Sequence, residues 1–372
     1  MNVDGRVRKL AGLLVNYSTR VKPGDKVLIS GTVAAAPLLK EVYREVLKAG
    51  GHPHMDLELE DQQYIFFSNA SKQQLEYEDP LLLQKVETLD VMIKTFPDTN
   101  PHALSSIDAE KKRVVAQARR KAMDLFTKRW GDGSLRWVGT ACPTRALAQE
   151  ARMSMEEYEN FVYACGGMDL DDPVEYWKDF SKRQEKICKR LNQVKLLRYK
   201  GLDTDITFGV EKRPWINCDG KVNFPDGEVF TSPIEDQVNG RIRFTFPGIF
   251  QGQEIEDIFL EFRDGKVVKA KAAKGESLLN TLLDTDEGSR ILGEVAIGTN
   301  DNIDKFTKNM LFDEKIGGTV HCAVGRGFPE SKSNNSSAIH WDMLKDMKDG
   351  GEIYGDGELI YKNGKFTEDF LQ

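Results

Sequence analysis

Cysteine is scarce in this 372-residue sequence, and the few cysteines do not form pairs. There are five, an odd number, and none has the CxxC spacing of a thiolate metal site. These counts predict neither a disulfide framework nor a thiolate zinc site. We therefore expect reduced, mostly buried thiols, as is typical of a cytoplasmic protein.

Long apolar runs and a basic excess are missing as well. No stretch of about 18 apolar residues occurs, and the polar start Met1–Arg6 has no apolar segment of the signal-peptide kind. We expect a soluble protein that is not exported. The 52 basic and 59 acidic side chains give a net charge of −7, without a basic cluster that could follow a phosphate backbone, so nucleic acid is not expected as a partner.

The first half of the chain alternates strand and helix patterns. A strand pattern at Val27–Ser30 is followed by a helical pattern at Ala35–Ala49 and a second strand pattern at His52–Glu58. Two strands joined by such a helix form a βαβ unit with parallel strands. The alternation continues through Arg136–Ala141, so we predict an α/β domain with a mostly parallel sheet over residues 1–198, ending in a helical connector.

Short strands dominate the second half. The patterns at Ile255–Phe262 and Lys266–Ala272 are separated by an Asp-Gly turn, which predicts a hairpin. Further turn signals within Glu352–Phe366 predict an antiparallel meander, and Asp301–Met310 is predicted as a short helix. We predict a β-rich α+β domain over residues 199–372.

Two features of the first half offer weak functional signals. His52 and His54 share one face of their strand, but no third histidine lies near them in sequence, so a strand surface is favoured over a metal site. The loop Gly31–Ala36 follows the first strand, where a phosphate loop would lie. It lacks both glycine fingerprints of nucleotide-binding loops, so it gives little support for a nucleotide site.

The strongest signal is a pair of strands in the second half, each with one apolar and one polar face. In Thr319–Val324 the polar face carries His321, and in Ala338–Met343 it carries His340 and Asp342. A lone histidine on such a strand is more often a core residue than a ligand. Two of them on closely spaced strands, one with a carboxylate two residues away, indicate a site.

Two further carboxylates are available to the same pocket. Glu294 lies within the strand pattern Ile291–Ile297, and Glu228 follows a turn. Taken singly, each has a structural explanation, as a strand-edge charge or a turn residue. Taken with the histidines, they form a nitrogen and oxygen donor set that suits Zn²⁺, Co²⁺ or Mn²⁺ better than Ca²⁺. Two divalent cations that share a bridging hydroxide would balance the charge of three carboxylates, whereas one cation would leave the pocket negative. The charge therefore favours a two-metal centre and metal-assisted hydrolysis.

At these residues the sequence resembles the thermophilic aminopeptidase T family of two-metal metallopeptidases, which includes the aminopeptidases S. The resemblance spans essentially the whole chain and is most specific in Asn223–Pro233, Leu292–Gly298, His321–Gly325 and Ser337–Met343. It implies a commonly dimeric exopeptidase that removes N-terminal residues from peptides. The family's metal ligands fall on Glu228, Glu294, His321, His340 and Asp342.

The sequence departs from that family at one position. Members commonly carry a tyrosine seven residues after the first metal histidine, thought to assist the transition state, and here this residue is Phe328. Either the rate is lower or another donor, such as Arg326, replaces the hydroxyl. The segment between the two histidine motifs is also shorter than in the longer members, which is expected to open the site or alter its mouth.

Three hypotheses follow. The leading one is a cytoplasmic, homodimeric metalloaminopeptidase with two divalent ions per chain, zinc, cobalt or manganese, acting on peptides with a free N-terminus. The second is a catalytically impaired, metal-stabilised peptide-binding protein, which Phe328 motivates. The third is another amide-cleaving metallohydrolase, which would also accept N-acetylated substrates.

Overall fold

The computed structural model describes residues 4–250 and 252–371, so the first three residues of Met1–Arg6 lie outside the described residues. The chain divides into two compact units. Unit 1 comprises Met1–Val174 and Gly220–Pro225, and unit 2 comprises Glu175–Asp219 and Asp226–Gln372.

The elements alternate in unit 1 and are mainly strands in unit 2. The helices are α1 (Gly5–Leu13), α2 (Ala36–Lys48), α3 (Gln62–Asn69), α4 (Lys72–Leu75), α5 (Pro80–Thr88), α6 (Ala109–Ala118), α7 (Arg120–Gly131), α8 (Arg145–Glu150), α9 (Met155–Cys165), α10 (Pro173–Leu191), α11 (Glu276–Leu283), α12 (Met310–Asp313) and α13 (Glu368–Leu371). The strands are β1 (Lys26–Thr32), β2 (His52–Glu58), β3 (Val91–Phe96), β4 (Arg136–Ala141), β5 (Leu196–Gly201), β6 (Thr204–Gly209), β7 (Ile216–Cys218), β8 (Asn223–Phe224), β9 (Glu228–Thr231), β10 (Val238–Arg243), β11 (Gly248–Phe250), β12 (Gln253–Ile255), β13 (Phe259–Arg263), β14 (Lys266–Lys271), β15 (Leu292–Gly298), β16 (Thr319–Gly325), β17 (His340–Asp346), β18 (Glu352–Gly355), β19 (Glu358–Lys362) and β20 (Lys365–Phe366). Among the described helices, none has both the length and the apolar character needed to cross a bilayer.

Unit 1 contains a five-stranded parallel sheet in the order β2-β1-β3-β4-β8. The inner strand β1 buries Val27 and Ile29 completely, whereas β2 lies at the edge and exposes much of its surface. Helix α2 connects β1 to β2, as the βαβ pattern requires. The prediction of an α/β domain with a mostly parallel sheet is confirmed.

The two weak signals of unit 1 have structural explanations. His52 and His54 are exposed on the edge strand β2, and neither belongs to a group of potential metal ligands found among the described residues. Gly31 lies in β1 where a Cβ atom would collide with the Thr95 side chain of the neighbouring β3. Its lack of a side chain therefore serves close strand packing.

The boundary between the units lies earlier than the one predicted between residues 198 and 199. All of α10 except its first two residues belongs to unit 2, and so does β5. The apolar face of α10 explains this, because Ile187, Cys188 and Leu191 are buried in the same apolar cluster as the strands of unit 2. The helix is part of that core and not a connector.

Unit 2 is built from antiparallel sheets around one large apolar core, which confirms the β-rich α+β prediction. One sheet has the order β14-β13-β10-β6-β5-β18-β19-β20, and another has the order β17-β16-β15-β9-β7. The predicted hairpin is formed by β13 and β14, and the predicted meander by β18, β19 and β20.

The helix predicted at Asp301–Met310 is wrong, because only Met310–Asp313 is helical there. Side chains satisfy the main-chain donors of the preceding segment. Asp313 accepts hydrogen bonds from the Thr307 main-chain N–H at 2.7 Å and from its hydroxyl at 2.9 Å, and Asn309 caps α12. Short polar side chains that bond the backbone locally compete with helix formation.

Candidate metal centre

Strand register brings the predicted acidic and histidine side chains onto one face of the sheet. Ala323 on β16 lies between Glu294 on β15 and Asp342 on β17, and Gly325 pairs with His340. Because side chains alternate along a strand, His321 shares the face of Ala323. The small residues at positions 323 and 325 leave space between the longer side chains of the outer strands.

Glu228 reaches this face from the first residue of β9. Gly227, with φ of +132°, precedes it, and a Cβ atom there would collide with Asn300. The Thr299 N–H donates to the Gly227 carbonyl at 2.8 Å, which fixes the start of the strand against the end of β15. The turn expected before Glu228 therefore has a tightly packed backbone.

The five predicted ligands converge in unit 2. His321 Nε2 lies 3.2 Å from Glu228 Oε2 and 3.3 Å from Glu294 Oε1. His340 Nε2 lies 3.5 Å from Glu294 Oε2 and 3.4 Å from Asp342 Oδ2. Glu294 thus stands between the two imidazoles, with one oxygen facing each.

The orientation of His340 is set by the main chain of the loop that follows β16. Its Nδ1 donates to the Arg326 carbonyl at 2.7 Å, which leaves Nε2 facing the carboxylates. A histidine held in this way by a carbonyl is a common arrangement around metal ligands. The Arg326 side chain itself donates from Nε to the Ser337 carbonyl at 3.0 Å. The replacement of the missing tyrosine hydroxyl by Arg326 stays a prediction.

Phe328 lies beside the cluster, where the motif predicted it. Its ring centroid is 5.0 Å from that of His340 and 5.4 Å from that of Phe230, in edge-to-face contacts. The position where the family resemblance predicts a tyrosine hydroxyl is therefore occupied here by an apolar ring next to a candidate ligand.

Two site residues, Glu314 and Lys315, were not predicted. Glu314 forms a group of potential metal ligands with His321 and Asp342. The Lys315 side chain is fully buried, its Nζ lies 3.5 Å from Glu228 Oε1, and it contacts the Glu314 carboxylate. The Asp-Glu-Lys triplet at 313–315 reads as a solvated loop in sequence, and no periodicity indicates its burial. The added acid and base cancel, so the formal charge of the cluster stays at −3.

The titration of the cluster reflects crowded charges away from water. Burial opposes the charge on His340, yet the Asp342 carboxylate raises the pKa of His340 to about 10. Burial likewise opposes ionisation of Asp342, but His340 lowers its pKa to about 2. Burial raises the pKa of Glu294, and that of Glu314 to about 8. The acids outnumber the cations that could neutralise them in this pocket.

The donor atoms fit divalent cations. His321 Nδ1 and Asp342 Oδ1 are buried without a hydrogen-bond partner among the described residues. Unpaired buried polar atoms are costly unless another partner satisfies the group. Two triads of potential ligands, Glu228–Glu294–His321 and Glu294–His340–Asp342, share Glu294. The mixture of imidazole nitrogen and carboxylate oxygen suits borderline divalent metals.

The comparison with protein families agrees with this geometry. The model of the family described as "Thermophilic metalloprotease (M29)" matches residues 3–366. The chain belongs to the M29 family. It is therefore a peptide hydrolase of a metal-dependent class, and divalent cations are its implied cofactors.

Known proteins similar to this M29 chain carry aminopeptidase names. Aminopeptidase 2 of Geobacillus stearothermophilus is 28% identical over 404 aligned residues, which cover 96% of this chain and 97% of that protein. Aminopeptidase T of Thermus thermophilus is 28% identical over 298 residues, covering 70% and 72%. The solved structure of wild-type AmpT from Thermus thermophilus has the same fold, with a TM-score of 0.83 at 21% identity over 98% of this chain and 100% of that one.

Proposed function

We propose that this M29 protein is an aminopeptidase that removes N-terminal residues from peptides with the help of two divalent cations. Glu228, Glu294, His321, His340 and Asp342 would hold the ions, with Glu314 as a sixth ligand. The observation that carries the proposal is the position of Glu294, which belongs to two triads of potential ligands at once. The aminopeptidase names of the relatives support the substrate class.

In this proposal the cations, when bound, activate a water molecule and polarise the scissile carbonyl. The protein contributes position and exclusion of solvent. Glu294 presents one oxygen to each imidazole, and the Arg326 carbonyl keeps the Nε2 atom of His340 turned toward the carboxylates. The rings of Phe328 and Phe230 form an apolar wall that shields this side of the site from water.

Chelation and reconstitution test the proposed activity. We expect a purified sample treated with a chelator to lose hydrolysis of a free aminoacyl amide, and to regain it with Zn²⁺, Co²⁺ or Mn²⁺, because the donor set needs cations to activate water. The measurement is turnover with each ion alone. An N-acetylated copy of the substrate is the control and should not be cleaved. Absence of turnover with all three ions would contradict the proposal, and equal cleavage of the acetylated substrate would favour a general amide hydrolase.

Replacing Phe328 with tyrosine tests the missing hydroxyl. We expect F328Y to raise kcat by roughly tenfold or more, since a single donor to a developing oxyanion is worth about 10²–10³-fold where it is well placed. The measurement is kcat and KM on the same substrate. Phe230→Tyr, which adds a hydroxyl to the neighbouring ring, is the matched control and should give no gain.

The result also separates the enzyme from the impaired peptide-binding protein. That alternative predicts a wild-type chain that binds metal and peptide without turnover, and hydrolysis that begins only in F328Y. Unchanged kinetics in F328Y would mean that the hydroxyl is not needed here, and would favour Arg326 as the donor that replaces it. The homodimer stays a prediction of the family resemblance, and the cytoplasmic location stays a prediction from the cysteine content and the polar start of the sequence.

A further inference from the structure

Lys315 places a positive charge inside a cluster that is otherwise acidic. Its side chain is completely buried, with Nζ 3.5 Å from Glu228 Oε1 and in contact with the Glu314 carboxylate. Lysine is almost never fully buried unless it is paired. Here both carboxylates within ion-pair distance are candidate ligands, so the ammonium group lies where it can compete with a metal ion for them.

Main-chain hydrogen bonds fix the segment that carries the Lys315 side chain. The Lys315 N–H donates to the Phe312 carbonyl at 3.0 Å, and the Lys315 carbonyl accepts from the Asn300 N–H at 3.1 Å. The next residue, Ile316, brings its carbonyl so close to Gly298 that a Cβ atom on the glycine would collide with it. This packing fixes the main chain of the segment against the end of β15.

The positive charge of Lys315 lies within ion-pair distance of one triad of potential ligands and not of the other. Lys315 contacts Glu228, which belongs to the triad Glu228–Glu294–His321 and not to the triad Glu294–His340–Asp342. In the other triad, no carboxylate lies within ion-pair distance of a lysine or arginine of the described chain. An ammonium group beside the first position repels a cation there and competes for the Glu228 oxygens, and such effects are strong away from water.

The formal charges lead to the same asymmetry. Lys315 and the carboxylates of the five predicted ligands and Glu314 together give −3, so one divalent cation leaves −1 and two leave +1; Asp226 is not included in this sum. Counted without the hydroxide that would bridge the two ions, the second ion then brings no gain in neutrality. Without Lys315 the cluster would carry −4, and two divalent cations would neutralise it. The lysine therefore replaces part of the charge that a second ion supplies.

We propose that Lys315 is a positioning residue that makes the two metal positions unequal, with a tightly held ion at Glu294–His340–Asp342 and a weaker, exchangeable ion at Glu228–Glu294–His321. The inference rests on the proposed two-ion function. It adds that the weaker position fills only when free metal is abundant. Occupancy of that position would then set the fraction of active enzyme.

The test replaces Lys315 with methionine, which keeps the length of the side chain and removes the charge. Chelator-treated wild type and K315M are titrated with Zn²⁺ by calorimetry, and the ions kept after dialysis are counted by mass spectrometry. We expect wild type to keep one ion per chain and to bind the second at least tenfold more weakly. We expect K315M to keep two, with the weaker dissociation constant lowered by at least tenfold.

Two further variants separate the effect of the positive charge from the effect of removing a buried lysine. Lys315→Arg retains the positive charge and should bind as wild type does. Lys345→Met removes another buried lysine of unit 2, whose Nζ donates to the carbonyls of Leu202 and Arg243 at 3.2 Å. It should reduce stability without changing metal affinity.

The outcomes distinguish this inference from the proposed function. If wild type binds two ions with equal affinity, or if K315M binds them as wild type does, the role of Lys315 is refuted while the two-ion enzyme stands. The wild-type titration decides the first point even if K315M fails to fold. If no variant binds Zn²⁺, Co²⁺ or Mn²⁺, the proposed function fails and the inference fails with it.

Discussion

Replacing Glu294 with glutamine is expected to remove both metal positions at once and to abolish peptide hydrolysis. Glu294 is the member common to both triads, with one oxygen near each imidazole. Glutamine has nearly the same shape but presents only one carbonyl oxygen and no charge. We expect kcat/KM to fall at least about a thousandfold, because activation of water depends on the ions.

The measurement pairs turnover with the number of ions per chain and with metal-dependent thermal stability. Ligands that bind only the folded state raise stability in proportion to the logarithm of their concentration. Wild type should therefore melt at higher temperature as metal is added, and E294Q should not. Glu256→Gln, which changes a surface ion pair with Lys274 in the same unit, is the matched control. Retention of two ions in E294Q would show that Glu294 is not the shared ligand.

The convergence of the ligands could be predicted because strand alternation is a local property. In β16 and β17 the polar and apolar faces follow directly from the order of residues, and His321, His340 and Asp342 fall on the polar faces. Which strands are neighbours is not local, since β9 pairs with β15 over more than sixty intervening residues. The motif resemblance supplied that link, and strand alternation alone did not.

The unpredicted features share a physical cause, which is that tertiary packing overrides local signals. Glu314 and Lys315 are charged residues in a short loop, where solvent exposure is the normal expectation. Lys315 is buried and Glu314 partly buried because the loop packs against the end of β15 and because each charge has a partner of opposite sign. Similarly, α10 follows unit 1 in sequence but buries its apolar face in the core of unit 2. Neither burial can be deduced from the pattern of the segment itself.

Replacing His340 with alanine is expected to abolish activity while removing only one of the two ion positions. His340 belongs to the triad Glu294–His340–Asp342, and the other triad does not include it. Without the imidazole, this position keeps only two of its three ligands, Glu294 and Asp342, so the tighter ion should be lost. Turnover, ions per chain and the unfolding profile of unit 1 are the measurements. Unit 1 should stay folded, because its sheet is formed by its own strands.

The same variant links the ligand assignment to the unequal positions. If Lys315 weakens the remaining position, H340A should keep well under one ion per chain after dialysis, whereas the double variant H340A/K315M should recover about one. Added imidazole should restore part of the lost metal affinity in H340A, since it can occupy the space left by the side chain. A variant that retains wild-type turnover would show that His340 is not a ligand. A variant that keeps one tightly bound ion would instead place the stronger position at Glu228–Glu294–His321, against the repulsion expected from Lys315.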